Sequence, residues 1–451
     1  MRIGLIAMSG VRVRTQELAE FGVTLPGFVN RGKVIASLPS LGLLTLAALT
    51  PSDVEVEYIE FDDVPDDEEP LEAFDLVGIS SFTARIEATY RLADRYRRMG
   101  VPVVLGGLHV SLMPDEAQAH ADAIVVDGAE GAWPELVADF RAGCMKKRYQ
   151  GLRKGVFAPG NYTFPRFDLL EGRPYNRVTV QTSRGCPINC EFCAASIRIT
   201  SSFQQKPVDH VIEELRAVTR VVDIPFVEFA DDNTFVNKKW GKALLREMEP
   251  LGLRWFTETD ISVADDPELL DLMAQAGCRQ ILIGLESPDA TGLHGLDPHD
   301  WKARRFDNYL ASISRIQAAG ISVNGTFVVG LDTHTTAVFE ELRDFIQASK
   351  LLEVQLTVQT PFPGTPLFER LKQDGRLLWD RFWDRCTLFD VNYRPKHMSV
   401  EELEDGFRWL AGEVYSDREF NRRKRHFMDL SKDRLRAATP VGIPNASPAS
   451  A

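Results

Sequence analysis

Apolar residues fall along this chain in two successive rhythms. Over roughly the first third, short runs read as strands: Arg2–Ala7, Val54–Ile59, Leu76–Ile79, Val101–Leu105 and Ala123–Val126. Between them lie segments of helical periodicity, among them Leu41–Leu49 and Ala84–Met99. Strand–helix alternation of this kind predicts a doubly wound parallel sheet over residues 1–145, flavodoxin-like or Rossmann-like. Ligands of such sheets bind beyond the carboxyl ends of the strands.

After a linker over 146–174, the second rhythm runs from 175 to 385. Its strand-like runs are Val178–Thr182, Pro225–Ala230, Arg254–Thr259, Gln280–Leu285, Ser322–Val329 and Glu353–Gln359. Helical patterns separate them at Val208–Val221, Lys239–Leu251, Pro267–Gln275, Asp307–Ala319 and Ala337–Ser349. Pro267 suits a first helical turn, and Gly277 and Gly320 suit helix ends. Six βα units predict a partial (β/α)6 barrel, so the fold class is α/β throughout. From Cys386 to Arg436 the pattern predicts a small helical cap. Its stretch from Arg418 is strongly basic, which by default marks a solvated helix face. Residues 437–451 are rich in Pro, Ala and Ser and are expected to be disordered.

Composition narrows the function classes. The 451 residues are 44% apolar and 26% charged, ordinary for a globular chain of two or three domains. A net charge of −13 argues against a broad nucleic-acid-binding face. No apolar run reaches the ~18 residues of a membrane span. Met1–Met8 reads as a first strand rather than a signal peptide. A reducing cytoplasmic setting is the expectation.

The chemistry concentrates in Cys186-Pro187-Ile188-Asn189-Cys190-Glu191-Phe192-Cys193, which holds three of the six cysteines at C-x3-C-x2-C spacing just past a strand. A zinc site would want a fourth ligand, and the nearest downstream histidine, His210, lies outside such spacing. Three thiolates suit a four-iron cluster with one corner left open, since such clusters usually take four cysteines. The other cysteines, Cys144, Cys278 and Cys386, show no second cluster spacing. Cys278 reads as a small buried residue, and Cys386 as the one candidate for a reactive thiol.

The cysteine spacing, with Phe192 before the last cysteine, resembles the radical S-adenosylmethionine (radical SAM) superfamily. That resemblance implies a 4Fe–4S cluster on Cys186, Cys190 and Cys193, with S-adenosylmethionine chelating the open iron and cleaved reductively to an adenosyl radical. The electron would come from an external donor of flavodoxin or ferredoxin type. It also implies cofactor contacts at the barrel strand ends: Asp231 and Asp232 for the amino group, Glu286 and Ser287 for ribose or amino acid, and Gly325 to Gly330 for adenine. Asp232 or Asn233 can equally be a plain helix cap.

The N-terminal loops resemble the cobalamin-binding domain of one large radical SAM class. The residues are Ser80 and Ser81, Gly106 and Gly107, then Gly128, Glu130 and Gly131 before Pro134. No Asp-x-His-x-x-Gly follows the first strand, so the resemblance implies cobalamin held without a histidine, or a domain that has lost it. Tight turns of an empty α/β domain would look the same. His109 reads as a surface loop histidine or a ligand neighbour. Arg12, Arg14, Asn30, Arg31 and Lys33 stand in a long polar segment before Leu41. Together these features imply a cobalamin-dependent methyltransferase acting on an unactivated carbon, or less often phosphorus, of a small molecule. Radical cyclisation, oxidation or rearrangement, and a non-catalytic sensor, are the alternatives.

Overall fold

A computed structural model describes residues 1–8, 16–20, 38–61, 64–65, 69–173, 175, 177–222 and 226–438. The polar residues named above between 12 and 33, and the tail from 439, lie outside them. The first sheet is all parallel, formed by β1 (Arg2–Met8), β2 (Glu55–Phe61), β3 (Leu76–Ser80), β4 (Val103–Gly106), β5 (Ala123–Val126) and β6 (Arg148–Gln150). Their order in space is β2-β1-β3-β4-β5-β6. It reverses direction at β1, which puts the ligand crevice at the carboxyl ends of β1 and β3 and onward. The sheet outlasts the expected edge at 145: β6, a short edge strand without a clear apolar signal, reads locally as linker.

The second sheet is also parallel. It comprises β7 (Val178–Val180), β10 (Phe226–Phe229), β11 (Arg254–Glu258), β12 (Cys278–Glu286), β13 (Ser322–Val329) and β14 (Glu353–Val358), in order β14-β13-β12-β11-β10-β7. Its strands follow one another in sequence and its two edges do not pair, so the barrel is open. Helices Val208–Val221 and Pro267–Gln275 fall where the periodicity places them. Asp266 caps the second through its carboxylate, with Pro267 in the first turn. Between β7 and β10, a two-residue antiparallel ribbon of β8 (Ser183–Arg184) and β9 (Gln204–Gln205) brackets the cysteine segment.

One apolar core runs from one face of the first sheet (Ile3, Leu5, Trp133) into the barrel and its helices (Leu215, Leu244, Trp255). A second lies on the other face of the first sheet, where Ile6, Val77 and Leu105 meet Phe368, Phe382 and Trp383 from beyond the barrel. The chain past β14 therefore folds back over the N-terminal sheet, and the two α/β units share core. Residues 386–399 are not helical; the cap comprises Val400–Tyr415, opened by a Ser399–Glu402 capping box, and Asp417–Ala438. Cys386 is buried in the second core, its Sγ near the carbonyl of Phe382, and burial pushes its thiol upward. It is therefore not a reactive thiol. Cys278 is buried at the start of β12, as expected. No helix among the described residues is long and apolar enough to cross a membrane.

Candidate functional site

The cysteine segment leaves β8 through Gly185, whose φ of +90° and lack of a Cβ let the chain turn against Thr200 and Ser202. Arg198 then ties the loop together. Its guanidinium donates to the carbonyls of Cys193 and Cys190, both at 2.7 Å, and to Asn189 Oδ1 at 3.2 Å. On the outer side Glu191 pairs with Arg370, its Oε1 to Nη2 at 2.7 Å. The loop is thus held in shape from both sides by charge-assisted bonds.

Cys186, Cys190 and Cys193 all face one cavity of about 290 Å³ at the mouth of the barrel. No group of three His, Cys, Asp or Glu among the described residues converges tightly enough for a single metal ion. The three thiols line one cavity, a donor set that suits an iron–sulfur cluster. Three thiols leave a four-iron cluster one ligand short. Burial pushes the free thiols up, Cys190 to about 11 and Cys193 to about 12. Their ionised form therefore requires positive charge beside them, which a bound cluster supplies.

The strand ends complete the wall. Asp232 faces the cavity and accepts from Ser196 Oγ at 2.5 Å. Its neighbour Asp231 does not face it. Asp231 accepts from the backbone N–H of Thr182 and Ser183 at 2.7 and 2.8 Å and from the hydroxyls of Thr182 and Thr234. It is a buried brace between β7 and β10, with no lone pair to spare for a ligand. Glu286 does face the cavity, in the left-handed region at φ +67° where the β12–β13 register slips. Its carboxylate is bound by Lys302 Nζ at 2.6 Å, and Lys302 also donates to the carbonyl of Gly284 at 2.8 Å. A Cβ at Gly284 would stand 2.2 Å from Glu286 Oε1, so glycine is required for this pair. Ser287 is turned away and meets His334 Nε2 at 3.3 Å.

Gly325 and Gly330 are not part of the cavity either. A Cβ at Gly325 would strike Leu351 and Leu285, and one at Gly330 would strike Tyr393 and Leu403. Both serve packing behind the sheet; the intervening Thr326 and Val328 line the cavity. Several lining residues lie outside any motif, among them Glu258 at the end of β11, Lys302 in a loop, Gln355 on β14 and Gln359 just after it. Although its side chain is accessible from the cavity, desolvation within the barrel mouth, together with the carboxylates of Glu228, Asp232, Asp231 and Glu286, pushes Glu258 up to about 8.

A second cavity, also about 290 Å³, opens at the carboxyl ends of β3, β4 and β5. Ser80, Gly106, Gly107, Gly128 and Glu130 line it, with apolar side chains such as Leu46, Val104 and Trp133. Ser81 does not; it is bonded to Thr89 at 2.7 Å. Gly107 sits at φ +104°, where a Cβ would be 2.9 Å from Ser80 Oγ. Glu130 receives Arg184 from the barrel side at 2.7 Å, while its Oε2 is buried without a partner among the described residues. This cradle of bare backbone, with one spare acceptor, fits a flat ligand edge. His109 is neither at the surface nor at this cavity. It is fully buried, edge-on to Trp383 at 5.5 Å, so no histidine reaches a ligand here from that loop. Ser196 lines the second cavity and Asp232 the first, so their hydrogen bond links the two walls across the partition between them.

Residues 180–346 match the model of the radical SAM superfamily, and 29–137 match that of the B12-binding domain. Residues 365–443 match a domain of unknown function, DUF4070. Among characterised proteins, the chain is 29% identical over 397 residues to bacteriochlorophyllide d C-12(1)-methyltransferase of Chlorobaculum tepidum, covering 86% of this chain and 84% of the relative. Its fold is similar to that of the radical S-adenosylmethionine methyltransferase TsrM from Kitasatospora setae, solved with cobalamin and a 4Fe–4S cluster. The TM-score is 0.64 at 16% identity, covering 97% of this chain and 99% of TsrM. It is likewise similar to the cobalamin-dependent S-adenosylmethionine radical enzyme OxsB, with a TM-score of 0.67 at 12% identity, covering 96% of this chain and 71% of OxsB. A thiol-ringed cavity in an open barrel, joined to a glycine-lined cavity in a B12-binding domain, makes this chain a member of the cobalamin-binding radical SAM enzymes.

Proposed function

We propose that the protein is a methyltransferase that acts on an unactivated carbon of a small molecule. Cys186, Cys190 and Cys193 hold the 4Fe–4S cluster, S-adenosylmethionine takes the space beside it, and cobalamin takes the glycine-lined cavity. The observation that carries this reading is the partition: the two cavities abut, and Ser196 and Asp232, one from each wall, are bonded to each other. When bound, the cluster with S-adenosylmethionine supplies a radical able to activate a C–H bond, and cobalamin supplies a methyl group.

The chain's own residues position and shield. Asp232 offers a carboxylate to a cationic ammonium at the cluster's open side. Lys302 locks Glu286 in place and keeps that corner from turning toward the thiols. Phe192, Trp301, Phe362 and Leu388 close the mouth against water. Arg184 with Glu130 fixes the glycine-lined cavity to the barrel. An external one-electron donor of flavodoxin or ferredoxin type, and a reducing cytoplasmic compartment, complete the proposal.

The test is anaerobic reconstitution with iron, sulfide and hydroxocobalamin, gel filtration, and turnover with methyl-deuterated S-adenosylmethionine. Co-eluting iron, sulfide and stoichiometric cobalt, with S-adenosylhomocysteine formed alongside 5′-deoxyadenosine, are expected. Cluster without cobalt removes methyl transfer and leaves radical cyclisation or rearrangement. No cluster removes the whole proposal.

A further inference from the structure

The inner wall of β14 holds polar atoms that the fold does not use. Gln359 is 1% exposed and Gln355 is 7% exposed, and both line the thiol-ringed cavity. Neither Nε2 nor Oε1 of Gln359 has a hydrogen-bond partner among the described residues, nor has Oε1 of Gln355. Because both atoms of Gln359 are free, exchanging its amide nitrogen and oxygen changes nothing in this count. A buried amide left unsatisfied costs about 1–3 kcal/mol, so such groups are ordinarily met by a ligand or by water. The pattern continues below the cavity, where Gln280 Oε1 on β12 and Asn324 Oδ1 on β13 are also unpartnered. Side-chain amides thus climb the barrel interior from β12 through β13 to β14 and the residue that follows it, and the top two residues line the cavity.

The surrounding charge says what kind of molecule they await. Asp232, Glu258, Asp260 and Glu286 face the same space, against Lys302 alone, and Lys302 is committed to Glu286 and Gly284. An anionic group, whether phosphonate, phosphate or carboxylate, would meet like charge from Asp232 and Asp260 at this wall. A hydrocarbon face would leave three amide atoms dry and unpaired.

We infer that Gln355 and Gln359 are specificity-determining residues that take an uncharged polar substrate group presenting a hydrogen-bond donor beside an acceptor, such as a carboxamide, lactam or ureido edge. A glutamine amide reads such an edge in two parallel bonds, as it does the donor–acceptor edge of a base. Its oxygen accepts from the substrate N–H, its nitrogen donates to the substrate carbonyl, and Gln355 Oε1 accepts a further donor. This rests on the proposal that the same cavity is the radical site, and it narrows the substrate there to neutral, hydrogen-bonding molecules.

The test uses 2-pyrrolidone as the lactam probe, cyclopentanone as the acceptor-only probe and propionate as the anionic one, read by saturation-transfer NMR on cluster-reconstituted protein with S-adenosylmethionine bound. Transfer to 2-pyrrolidone is expected to exceed that to the other two. It should fall about fivefold or more in Gln359→Leu and in the near-isosteric Gln359→Glu, as expected for losing one or two such bonds. The dissociation constant of S-adenosylmethionine, from equilibrium dialysis, should stay unchanged in both variants. Equal transfer from all three probes, no transfer, or an unchanged lactam signal in both variants overturns the inference. So does a matched loss of S-adenosylmethionine affinity, because the amide would then serve the cofactor. If the protein takes up no cluster or S-adenosylmethionine, it is the proposed function that fails. The lactam comparison then runs on the bare protein, whose β14 amides are unchanged.

Discussion

The thiol-ringed cavity and the glycine-lined cavity have the same volume, about 290 Å³ each, but opposite walls. The barrel builds its wall from ionisable and amide side chains on the inward positions of β11 to β14, plus a lysine that arrives from a loop. The N-terminal sheet builds its wall largely by omission: glycines after β4 and β5 expose backbone, leucine, valine and tryptophan fill much of the rest, and Glu130 is paired with Arg184 at the barrel side. The first kind of wall can polarise, orient and discriminate. The second can grip a large flat ligand chiefly by shape. That contrast matches a division between a chamber where bonds change and one where a carrier is stored, and it can be broken at specific residues.

The largest break is at the cysteines. Cys190→Ala is expected to abolish cluster assembly, so iron and the visible absorption of the reconstituted protein fall to background. Hydroxocobalamin should bind as in the wild type, since Cys190 does not line the glycine-lined cavity. Loss of both ligands together would mean that the two chambers are one cooperative unit. Next comes the buried pair. Lys302→Met leaves Glu286 uncompensated and is expected to cost about 3–5 kcal/mol in denaturant unfolding. Adding Glu286→Gln should restore most of it, because the burden is the orphaned charge and not a lost contact. A single-variant cost under about 1 kcal/mol would place the pair in effectively solvated surroundings.

The glycine side sharpens the contrast through shape. Among the described residues a Cβ at Gly106 would meet nothing nearer than 3.7 Å, so Gly106→Val should still fold, checked by its melting temperature. The added methyls intrude on the cavity wall, and hydroxocobalamin affinity is expected to drop about tenfold, in line with the cost of overpacking. Affinity equal to wild type would show that the ligand does not lie against β4.

Much of this was legible in the sequence, and the reasons are local. Val208–Val221 carries its apolar stripe and Pro267–Gln275 both a stripe and its own end signals, and the barrel strands are apolar runs with room for a helix between them. The cysteines and the Ser80, Gly106, Gly107 and Gly128 loops sit at strand ends, where period and topology agree on placement. What failed was the face a residue points to. Gly325 and Thr326 are one residue apart, yet only the threonine lines the cavity, because successive strand residues alternate sides. The same alternation was a missed signal along β14 and the residue after it, where Glu353, Gln355, Thr357 and Gln359 put a polar residue at every second position of a buried run. Lys302 gave no signal, since its partner Glu286 lies sixteen residues away across a loop. His109 and Cys386 were misjudged for a shared reason. Each is buried by the chain returning past β14 onto the first sheet, a contact invisible from neighbouring sequence.

The smallest effect is the most diagnostic of the charged wall. Glu258 is held near 8 by burial in the barrel mouth and by the carboxylates around it, whereas in the unfolded chain it titrates near 4.5. Between those values the folded protein keeps a proton that the unfolded chain has released. Unfolding therefore sheds a proton, and stability falls as pH rises through this window, levelling off above about 8. Glu258→Gln removes that slope while keeping the shape of the side chain. Its melting temperature relative to wild type should therefore rise steadily from pH 5 to pH 8 and then level off. The shift should be modest, because the side chain is accessible from the cavity and water screens part of the repulsion. Binding of a cation beside Asp232 and Glu258 should flatten the wild-type slope toward that of the variant, since a positive charge lowers the carboxyl back toward its ordinary range. A difference that is constant with pH would mean the acidic wall is solvated in the folded protein, and the contrast between the two chambers would then rest on the thiols and amides alone.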